Sequence, residues 1–444
     1  MSYEEKRVGV DLLVGGFGAL NGQSCPGVGW VALDEGDDGA VTVRYRDVLE
    51  DVPSPTWLAS LGSVVVAVLE NTGELASLSV SRRDGYPVTS RLSRVKVPGE
   101  GPTHAALMRD DRGGVKVVVA DYGDGTIAVH GLDASGRLTA ATQSIPASPG
   151  LHGPLPAQRG PHAHWVLPLP DGRVLTTDLG ADRIHVHRWR DGILVREASL
   201  VLPPGTGPRD MHLLPLADGG WRVAVVGEWG CDVTILDMSC VDGAPALDSA
   251  DRPEANPSDA GERAARRSQC ISLPAAAGDQ AASLAFVPDP TWRVESAGRR
   301  GTSSTLGSDG MVYVGLRGSD RIVALRWSDG RLSVIQPSSR GISTPLTAEM
   351  DVREVDAREM DAQGKVMRKR APQNGVAAEP DGLWRENGVS SGGGRPRQIL
   401  AYGRLLVVSN ETADHLDVFR IDNDGRPVWC GGAHVASPTV ALPI

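Results

Sequence analysis

The chain alternates short apolar stretches with turns rich in Gly, Asp and Pro. Residues 162–189 show the pattern in full: HAHWVLPL predicts one strand, PDGR a turn, VLTTDL a second strand, GADR a turn and IHVHRW a third strand. Runs of about four to eight apolar and β-branched residues bounded by such turns are typical of antiparallel hairpins. The pattern therefore predicts a small sheet of consecutive strands.

The same unit recurs along the chain. It opens at a proline that precedes an apolar strand, at Pro55, Pro102, Pro161, Pro208 and Pro396, and the first three intervals are 47, 59 and 47 residues. A sixth unit combines AASLAFVP (281–288) with GMVYVGLRGSDRIVALRWSDG (310–330). Repeats of about 40 to 50 residues, each with three or four short strands, are typical of β-propeller blades.

The two ends of the chain together supply a seventh blade. VGVDLLVGG, GVGWVALD and VTVRYRD predict three strands without a first partner, and SPTVALPI (437–444) copies the blade opening SPTWLAS (54–60). Closing the ring in this way removes the exposed sheet edges that an open array of this size would leave as aggregation sites. We therefore predict an all-β fold, a seven-bladed β-propeller that spans residues 1–444 as a single domain and is closed by the C-terminal strand.

Additional residues lengthen one part of the ring. Pro208 and Pro396 lie 188 residues apart, which is far more than two blades need. We place insertions near 241–280, 289–308 and 340–394, where the sequence is charged and has little apolar periodicity. Such composition is typical of surface loops.

Composition and charge limit the kinds of molecule that the protein is expected to bind. The chain carries 45 Lys plus Arg against 55 Asp plus Glu, a net charge of −10, which repels nucleic acid and anionic membrane surfaces. No apolar stretch approaches the roughly 18 residues of a membrane-spanning helix. The five cysteines are scattered without a CxxC pair, and the N-terminal residues lack a secretory apolar core. We expect a cytoplasmic protein that binds a small molecule, and the sequence does not indicate its oligomeric state.

In a propeller, the first strand of each blade lines the central channel and the second strand runs antiparallel beside it. The start of the first strand and the end of the second strand therefore share one rim. This rule gathers polar side chains from six predicted blades: Thr56, Trp57, Glu70, Asn71, His104, Asp121, Tyr122, His162, His164, Asp178, Arg209, Glu228, Arg317, Arg397, Asn410 and Glu411.

The sequence offers too few ligands for a metal site at this rim. His162 and His164 lie two residues apart on one strand and so share a face, an arrangement that can bind a metal. A third ligand is needed, and His104 of the neighbouring blade is only a possible contributor. We predict no metal and no cofactor.

Other polar residues are expected to serve the architecture. His185 and His187 lie on the strand IHVHRW, where we expect solvent-facing side chains without a function. Aspartates recur in the turns between second and third strands, where a carboxylate can accept backbone N–H bonds. We assign these aspartates to the scaffold: Asp182, Asp232, Asp320 and Asp414.

Several motifs together resemble those of one family. GPHAHWVLPLPDGRVLTTDLGADRIHVHRW (160–189) and GPTHAALMRDDRGGVKVVVADYGDGTIAVHGLDASGRL (101–138) are the most specific. GPRDM, VVGEW, GLRGSDRI and RPRQI follow in the family's order, at 207–211, 225–229, 315–322 and 395–399. Over nearly its whole length the chain resembles the propeller lactonases, a family that includes bacterial 6-phosphogluconolactonases and fungal carboxymuconate cyclases.

The resemblance implies an active site of His164, Arg209, Glu228 and Arg317. It implies a lactonase that hydrolyses 6-phosphogluconolactone to 6-phosphogluconate in the pentose phosphate pathway. Such hydrolysis needs a base to activate water and a donor for the oxyanion. We expect Glu228 or His164 to be the general base and Arg209 to stabilise the oxyanion, while Arg317 and Arg397 hold an anionic substituent. Substrate binding is assigned to His104, His162, Asp178, Arg397, Glu70 and Asp121.

Three alternatives stay open at this point. Arg209 and Glu228 could form a structural ion pair across adjacent strands. The same residues could lactonise a carboxylated muconate, with the arginines holding its carboxylates. The propeller could also be a binding scaffold without an enzymatic activity, because this fold hosts many functions.

Overall fold

The computed structural model describes residues 9–36, 39–238, 265–289, 308–335 and 388–444. Most of the three predicted insertions, at 241–264, 290–307 and 340–387, lies outside these described residues. No helix in the described ranges is long and apolar enough to cross a membrane. Cys25, Cys231, Cys270 and Cys430 are free thiols, and Cys240 lies outside the described residues.

The strands pair in antiparallel order into seven sheets, each listed here from the channel outward. The first contains β29 (Pro438–Pro443), β1 (Gly9–Gly16), β2 (Val28–Glu35) and β3 (Val41–Glu50). The second contains β4 (Pro55–Leu61), β5 (Val64–Leu69), β6 (Glu74–Arg83) and β7 (Tyr86–Lys96). The third contains β8 (Pro102–Arg109), β9 (Val115–Asp121), β10 (Ile127–Leu132) and β11 (Leu138–Ile145).

The fourth sheet contains β12 (Ala163–Pro168), β13 (Arg173–Asp178), β14 (Arg183–Arg190) and β15 (Ile193–Val201). The fifth contains β16 (Pro208–Pro215), β17 (Trp221–Gly227), β18 (Asp232–Asp237) and β19 (Arg266–Ser272). The sixth contains β20 (Gln280–Pro288), β21 (Gly310–Arg317), β22 (Arg321–Ser328) and β23 (Arg331–Val334), with β24 (Val389–Ser390) also paired to β22. The seventh contains β25 (Pro396–Tyr402), β26 (Leu405–Asn410), β27 (His415–Ile421) and β28 (Pro427–His434).

The C-terminal strand closes the ring, as the sequence predicts. β29 pairs with β1 in antiparallel register, with Leu12 opposite Pro443 and Val14 opposite Ala441. The N–H of Ile444 extends the pairing by donating to the Asp11 carbonyl at 2.9 Å. The first blade therefore joins the two ends of the chain, and the seven-bladed propeller is confirmed.

The core consists of seven apolar layers, one between each pair of neighbouring sheets. Second strands are covered on both faces, which is why β5 contains the continuous apolar run VVVAVL and β9 the run VVVA, instead of alternating with polar residues. Between the fifth and sixth sheets, Trp327 is fully buried and its indole N–H donates to the Pro215 carbonyl at 2.8 Å. These layers fix the orientation of the inner strands.

Two expectations differ from the structure. The outer strand β19 and the start of β20 lie within the insertion predicted near 241–280, because the mostly exposed sequence RRSQCIS of β19 carries little apolar signal. His185 and His187 are buried, not solvent-facing, because β14 is the third of four strands in a sheet that packs between the third and fifth sheets. The His187 ring bonds the Thr176 hydroxyl at 2.9 Å, and the His185 ring bonds Ser199 at 2.7 Å.

Three of the four turn aspartates, Asp182, Asp320 and Asp414, have the expected structural role. Asp232 does not, because Cys231 takes the left-handed turn position in the fifth blade and Oδ1 of Asp232 is buried without a hydrogen-bond partner among the described residues. Asp182 has a left-handed backbone with φ of 52°, a conformation that Asp adopts more readily than most residues. Its carboxylate accepts the backbone N–H groups of Gly205 and Gly207, each at 2.7 Å, just before the next inner strand. Asp320 and Asp414 bind the starts of the following blades in the same way, so these carboxylates fix neighbouring blades to each other.

Candidate active site

Every inner strand carries an extra residue near its start. In β4, Pro55 pairs with Leu69 and Trp57 with Val68, so Thr56 has no partner on the second strand. The same one-residue shift occurs in all seven sheets. A bulge of this kind turns a side chain that regular alternation would point away. Consecutive residues therefore line the channel, and the bulged positions are Thr56, Thr103, His164 with Trp165, Arg209, Ala282 with Ser283, Arg397 and Thr439.

A second ring of side chains comes from the residues at the ends of the second strands. This ring includes Phe17, Glu70, Tyr122, Glu228, Arg317 and Glu411. Together with the bulged residues it surrounds a partly open cavity at one end of the channel. The side chains that line the cavity include Glu70, His104, His164, Arg209 and Arg397, with Trp57 and Trp165.

Glu228 is held between two arginines. Its Oε2 accepts from Nη1 of Arg209 at 2.9 Å, and its Oε1 lies 2.6 Å from Nη2 of Arg317. Burial alone would raise the pKa of Glu228, but Arg317 and Arg209 outweigh burial and lower the pKa to about 2. Burial lowers the pKa of Arg317 to about 10, which leaves it charged at neutral pH. The cluster is thus an ionised carboxylate between two cations.

A second ion pair lies in the seventh blade. Nε of Arg397 donates to Oε2 of Glu411 at 2.6 Å, and Nε of Arg395 lies 4.0 Å from the same oxygen. The Arg397 guanidinium also lies over the Phe17 ring, 5.2 Å from its centroid. Burial would raise the pKa of Glu411, but Arg397 outweighs burial and lowers it. Arg397 is thereby fixed at the wall of the cavity.

His164 is a buried, neutral imidazole in the cavity. Burial first, and then the charge of Arg209, hold the pKa of His164 well below its usual value. Its Nδ1 is buried without a hydrogen-bond partner among the described residues. A neutral imidazole with an unused ring nitrogen can accept a proton from water.

An aromatic group forms part of the cavity wall. The His104 ring stacks on Trp165 with centroids 3.8 Å apart and lies 4.4 Å from the Trp57 ring. The backbone N–H of Val166 donates to Nδ1 of His104 at 3.2 Å, which leaves the proton of the neutral ring on Nε2. Burial holds the pKa of His104 well below its usual value. His104 is therefore a fixed N–H donor.

Seven of the ten predicted site residues meet at this end of the channel. Five line the cavity, Glu228 is joined to it through its ion pair with Arg209, and Arg317 is joined through its ion pair with Glu228. The seven residues are His164, Arg209, Glu228, Arg317, Arg397, Glu70 and His104. His162 does not line the cavity, because its ring stacks on Tyr122 at 4.5 Å and bonds the Tyr122 carbonyl at 2.7 Å. Within the described ranges, no group of three His, Cys, Asp or Glu side chains is arranged to hold a metal.

Asp121 and Asp178 lie outside the cavity, contrary to their assignment to substrate binding. Asp178 accepts the backbone N–H groups of His162 at 2.9 Å and Ala181 at 3.1 Å, which makes it a turn carboxylate. Asp121 is fully buried, and burial followed by the charge of Asp124 raises its pKa to about 8. Both are the last residues of their strands, one position before the ring that faces the channel, and neighbouring strand residues face opposite ways.

Sequence reasoning also missed contributors to the cavity. Phe17 and Thr439 come from the first blade, and Trp165 follows His164 within a bulge. Tyr122, which the strand-end rule does place at the rim, stands one position after Asp121. Burial raises the pKa of Tyr122, and the charges of Glu228 and three arginines also act on it. In the sequence, cavity residues are marked only by their place in the repeat. They are the second residue of each blade opening and the residue after each second strand.

Comparison with known proteins agrees with this architecture. The sequence model of the family described as lactonase, 7-bladed beta-propeller, matches residues 18–352. The 6-phosphogluconolactonase of Bacillus subtilis (strain 168) is 26% identical over 196 residues, which are 40% of this chain and 54% of that protein. The chain therefore spans about half the length of the curated relative that it matches.

Solved structures share the fold along the whole chain. A protein from Lactobacillus plantarum superposes with a TM-score of 0.67 at 20% identity, covering 98% of this chain and 100% of its own. The periplasmic gluconolactonase of Pseudomonas aeruginosa gives 0.62 at 21% identity, covering 98% and 99%. The fold, the order of the motifs and the family match lead to one conclusion: the chain belongs to the seven-bladed β-propeller lactonase family.

Proposed function

We propose that the protein hydrolyses a sugar lactone, with 6-phosphogluconolactone converted to 6-phosphogluconate as the leading candidate reaction. The observation that carries the proposal is a neutral His164 beside Arg209 in one cavity, a base next to a cation. Membership of the lactonase family supports the reaction class. The name of the Bacillus subtilis relative supports the phosphorylated substrate.

His164 activates the water. Of the two candidate bases, Glu228 has both oxygens occupied by arginines, and a carboxylate with a pKa of about 2 is a weak proton acceptor. His164 is neutral and its Nδ1 is unoccupied by other described residues. The imidazole takes a proton from water as the water oxygen bonds to the lactone carbonyl carbon.

Arg209 stabilises the oxyanion that forms on the carbonyl oxygen. Its Nε donates to the Ala282 carbonyl at 3.0 Å and its Nη1 to Glu228, so the guanidinium is held in place before the substrate arrives. A donor that is already oriented costs no reorganisation when the charge develops. Glu228 is therefore a positioning residue for Arg209 and Arg317. Its ion pair with Arg209 has a structural role and also an indirect role in catalysis.

The arginines favour an anionic substrate. In these ion pairs the three arginines, Arg209, Arg317 and Arg397, outnumber their two carboxylate partners, Glu228 and Glu411, by one. We assign the phosphate to Arg397 and Arg317, and the stacked His104 ring donates to a substrate hydroxyl or ring oxygen.

Turnover of freshly prepared lactones by the purified protein, with chelator present, tests this function. We expect 6-phosphogluconolactone to be hydrolysed faster than its spontaneous rate and with a lower KM than unphosphorylated gluconolactone. Arg397→Gln should raise the KM of the phosphorylated lactone about tenfold or more and change that of gluconolactone little. Arg395→Gln is the matched control, because this arginine reaches the same carboxylate at 4.0 Å with a side chain that is 40% exposed.

Two other outcomes would redirect the proposal. Turnover of carboxymuconolactones alone would favour the muconate reaction, in which Arg317 and Arg397 hold carboxylates. Absence of turnover on every lactone would contradict hydrolysis and favour a binding scaffold.

A further inference from the structure

Glu70 differs from the two glutamates that occupy the same place in other blades. Glu70, Glu228 and Glu411 each directly follow a second strand, β5, β17 and β26 respectively. Glu228 and Glu411 are paired with arginines at 2.6–2.9 Å. Within the ranges that the structure describes, Glu70 has no ion-pair partner within 4.0 Å. Of the three carboxyl groups, that of Glu70 lines the cavity.

The surroundings of Glu70 raise its pKa above the ordinary glutamate value. The Thr56 hydroxyl is its polar neighbour, the charges of Arg397 and Arg209 act on it across the cavity, and Glu411 adds a negative charge. Burial raises the pKa of Glu70 and outweighs the opposing effect of the arginines. A carboxyl group of this kind can be protonated when the substrate binds and can then donate its proton.

The proposed reaction needs such a donor. When the tetrahedral intermediate collapses, the bond between the carbonyl carbon and the ring oxygen breaks and its electron pair stays on the ring oxygen. An alkoxide is a poor leaving group unless it gains a proton as the bond breaks. Arginines are unsuitable donors because they do not release their protons. The His164 imidazolium and the Glu70 carboxyl both line the cavity and can both release a proton, and the Glu70→Gln variant below distinguishes them.

We propose that Glu70, in addition to the residues already assigned, is the general acid that protonates the ring oxygen as the lactone opens. This inference rests on the proposed lactone hydrolysis at the same cavity. The Glu70 carboxyl gives its proton to the ring oxygen, and the His164 imidazolium returns the proton it took from water to Glu70. The new carboxylic acid then ionises. The balance is one lactone and one water converted to one hydroxycarboxylate and one proton released to solvent.

The Glu70→Gln variant tests the assignment through kcat and its pH dependence. We expect kcat to fall about 100-fold or more with little change in KM. Wild-type kcat should also decline with rising pH as Glu70 ionises, and this decline should be absent in the variant. Glu74→Gln is the matched control, because Glu74 lies four residues away and pairs with Arg94 and Lys96, not with the cavity. The control should keep wild-type kcat.

A second variant tests the assignment even if Glu70→Gln does not fold. Thr56→Val removes the hydroxyl that lowers the pKa of Glu70, so the decline of kcat with rising pH should move to higher pH. The assignment is overturned if Glu70→Gln is folded and within threefold of wild type, if only its KM rises, or if neither variant changes this decline. If wild type itself hydrolyses no lactone, the proposed function fails, and that result differs from an active wild type with an active Glu70→Gln variant.

Discussion

At the scale of single residues, equivalent positions in the ring hold the same side chain in different states. Glu228 is an ionised anchor between two arginines, Glu411 anchors Arg397, and Glu70 has no ion-pair partner within the described residues. The side chains around each carboxyl group decide its role, because charge partners and burial act in opposite directions on its pKa. Burial and charge partners also distinguish the neutral His164 from the ionised Glu228, and they favour His164 as the base.

Replacing Glu228 should cost stability. Glu228→Gln leaves Arg209 and Arg317 buried without their counter-ion, and we expect the free energy of unfolding at pH 7 to fall by about 3 kcal/mol or more. The pKa of Glu228 is lower in the folded state, so its stabilising effect is present above pH 4.5 and is lost as the pH falls toward 2. Urea unfolding between pH 7 and pH 3 should show a steeper decrease for wild type than for the variant. Parallel curves would contradict the assignment.

The acid limb of activity should lie at low pH. The neutral form of His164 is the active form, and its pKa is held well below 6.5 by burial and by Arg209. We expect kcat/KM to stay constant as the pH falls from 7.5 through 6.5 and to decline only in more acidic buffer. A decline centred at the ordinary histidine pKa of about 6.5 would argue against this buried imidazole as the base.

At the scale of strands and turns, the sequence predicts the hairpins of each blade but does not predict the bulge in the inner strand. Hairpins were predicted because Gly, Asp and Pro turns bound apolar runs of strand length, as at 162–189. The bulge has no residue signature, since Thr, His, Arg and Ala all occupy it, and it became visible only in the strand register. The strand-end rule therefore placed Asp121 and Asp178 at the rim, because it does not distinguish the last residue of a second strand from the next residue, which faces the channel.

The turn carboxylate of the fourth blade offers a test at this scale. Asp182 accepts three hydrogen bonds, from Gly205, Gly207 and Gln158 at 2.7–2.8 Å. We expect Asp182→Ala to lower the free energy of unfolding by about 2 kcal/mol more than Asp191→Ala. Asp191 is the matched control because it has a similar φ, 54° against 52°, but a side chain that is 90% exposed. Equal losses in urea titrations would mean that only backbone conformation matters.

At the scale of the whole molecule, the cavity exists because the ring is closed. Its lining residues come from all seven blades, including Phe17 and Thr439 of the blade that joins both ends of the chain. The closure was predictable because SPTVALPI repeats a blade opening, whereas the meeting of Arg209, Arg317 and Arg397 depends on how the inner strands pack around the axis. Distances between blades are a tertiary property that no local pattern encodes.

Removing the closing strand should therefore damage fold and site together. Deletion of residues 438–444 exposes the inner edge of β1 and uncovers Leu13 and Val14. We expect a lower melting temperature and aggregation in size-exclusion chromatography. The peptide SPTVALPI added in trans should restore part of the melting temperature by pairing with β1, and the reversed-sequence peptide is the control. A deletion that melts like wild type would contradict the role of this strand.

The most direct test of the central claim is the initial rate of 6-phosphogluconolactone hydrolysis by wild type, His164→Asn and His434→Asn, measured against the spontaneous rate. His434 lies exposed on the outer strand β28 and controls for loss of a histidine elsewhere. We predict that wild type and His434→Asn accelerate hydrolysis equally and that His164→Asn is slower by about 100-fold or more at unchanged thermal stability. A wild-type rate no faster than the spontaneous one, or a His164→Asn rate equal to wild type, would contradict the account.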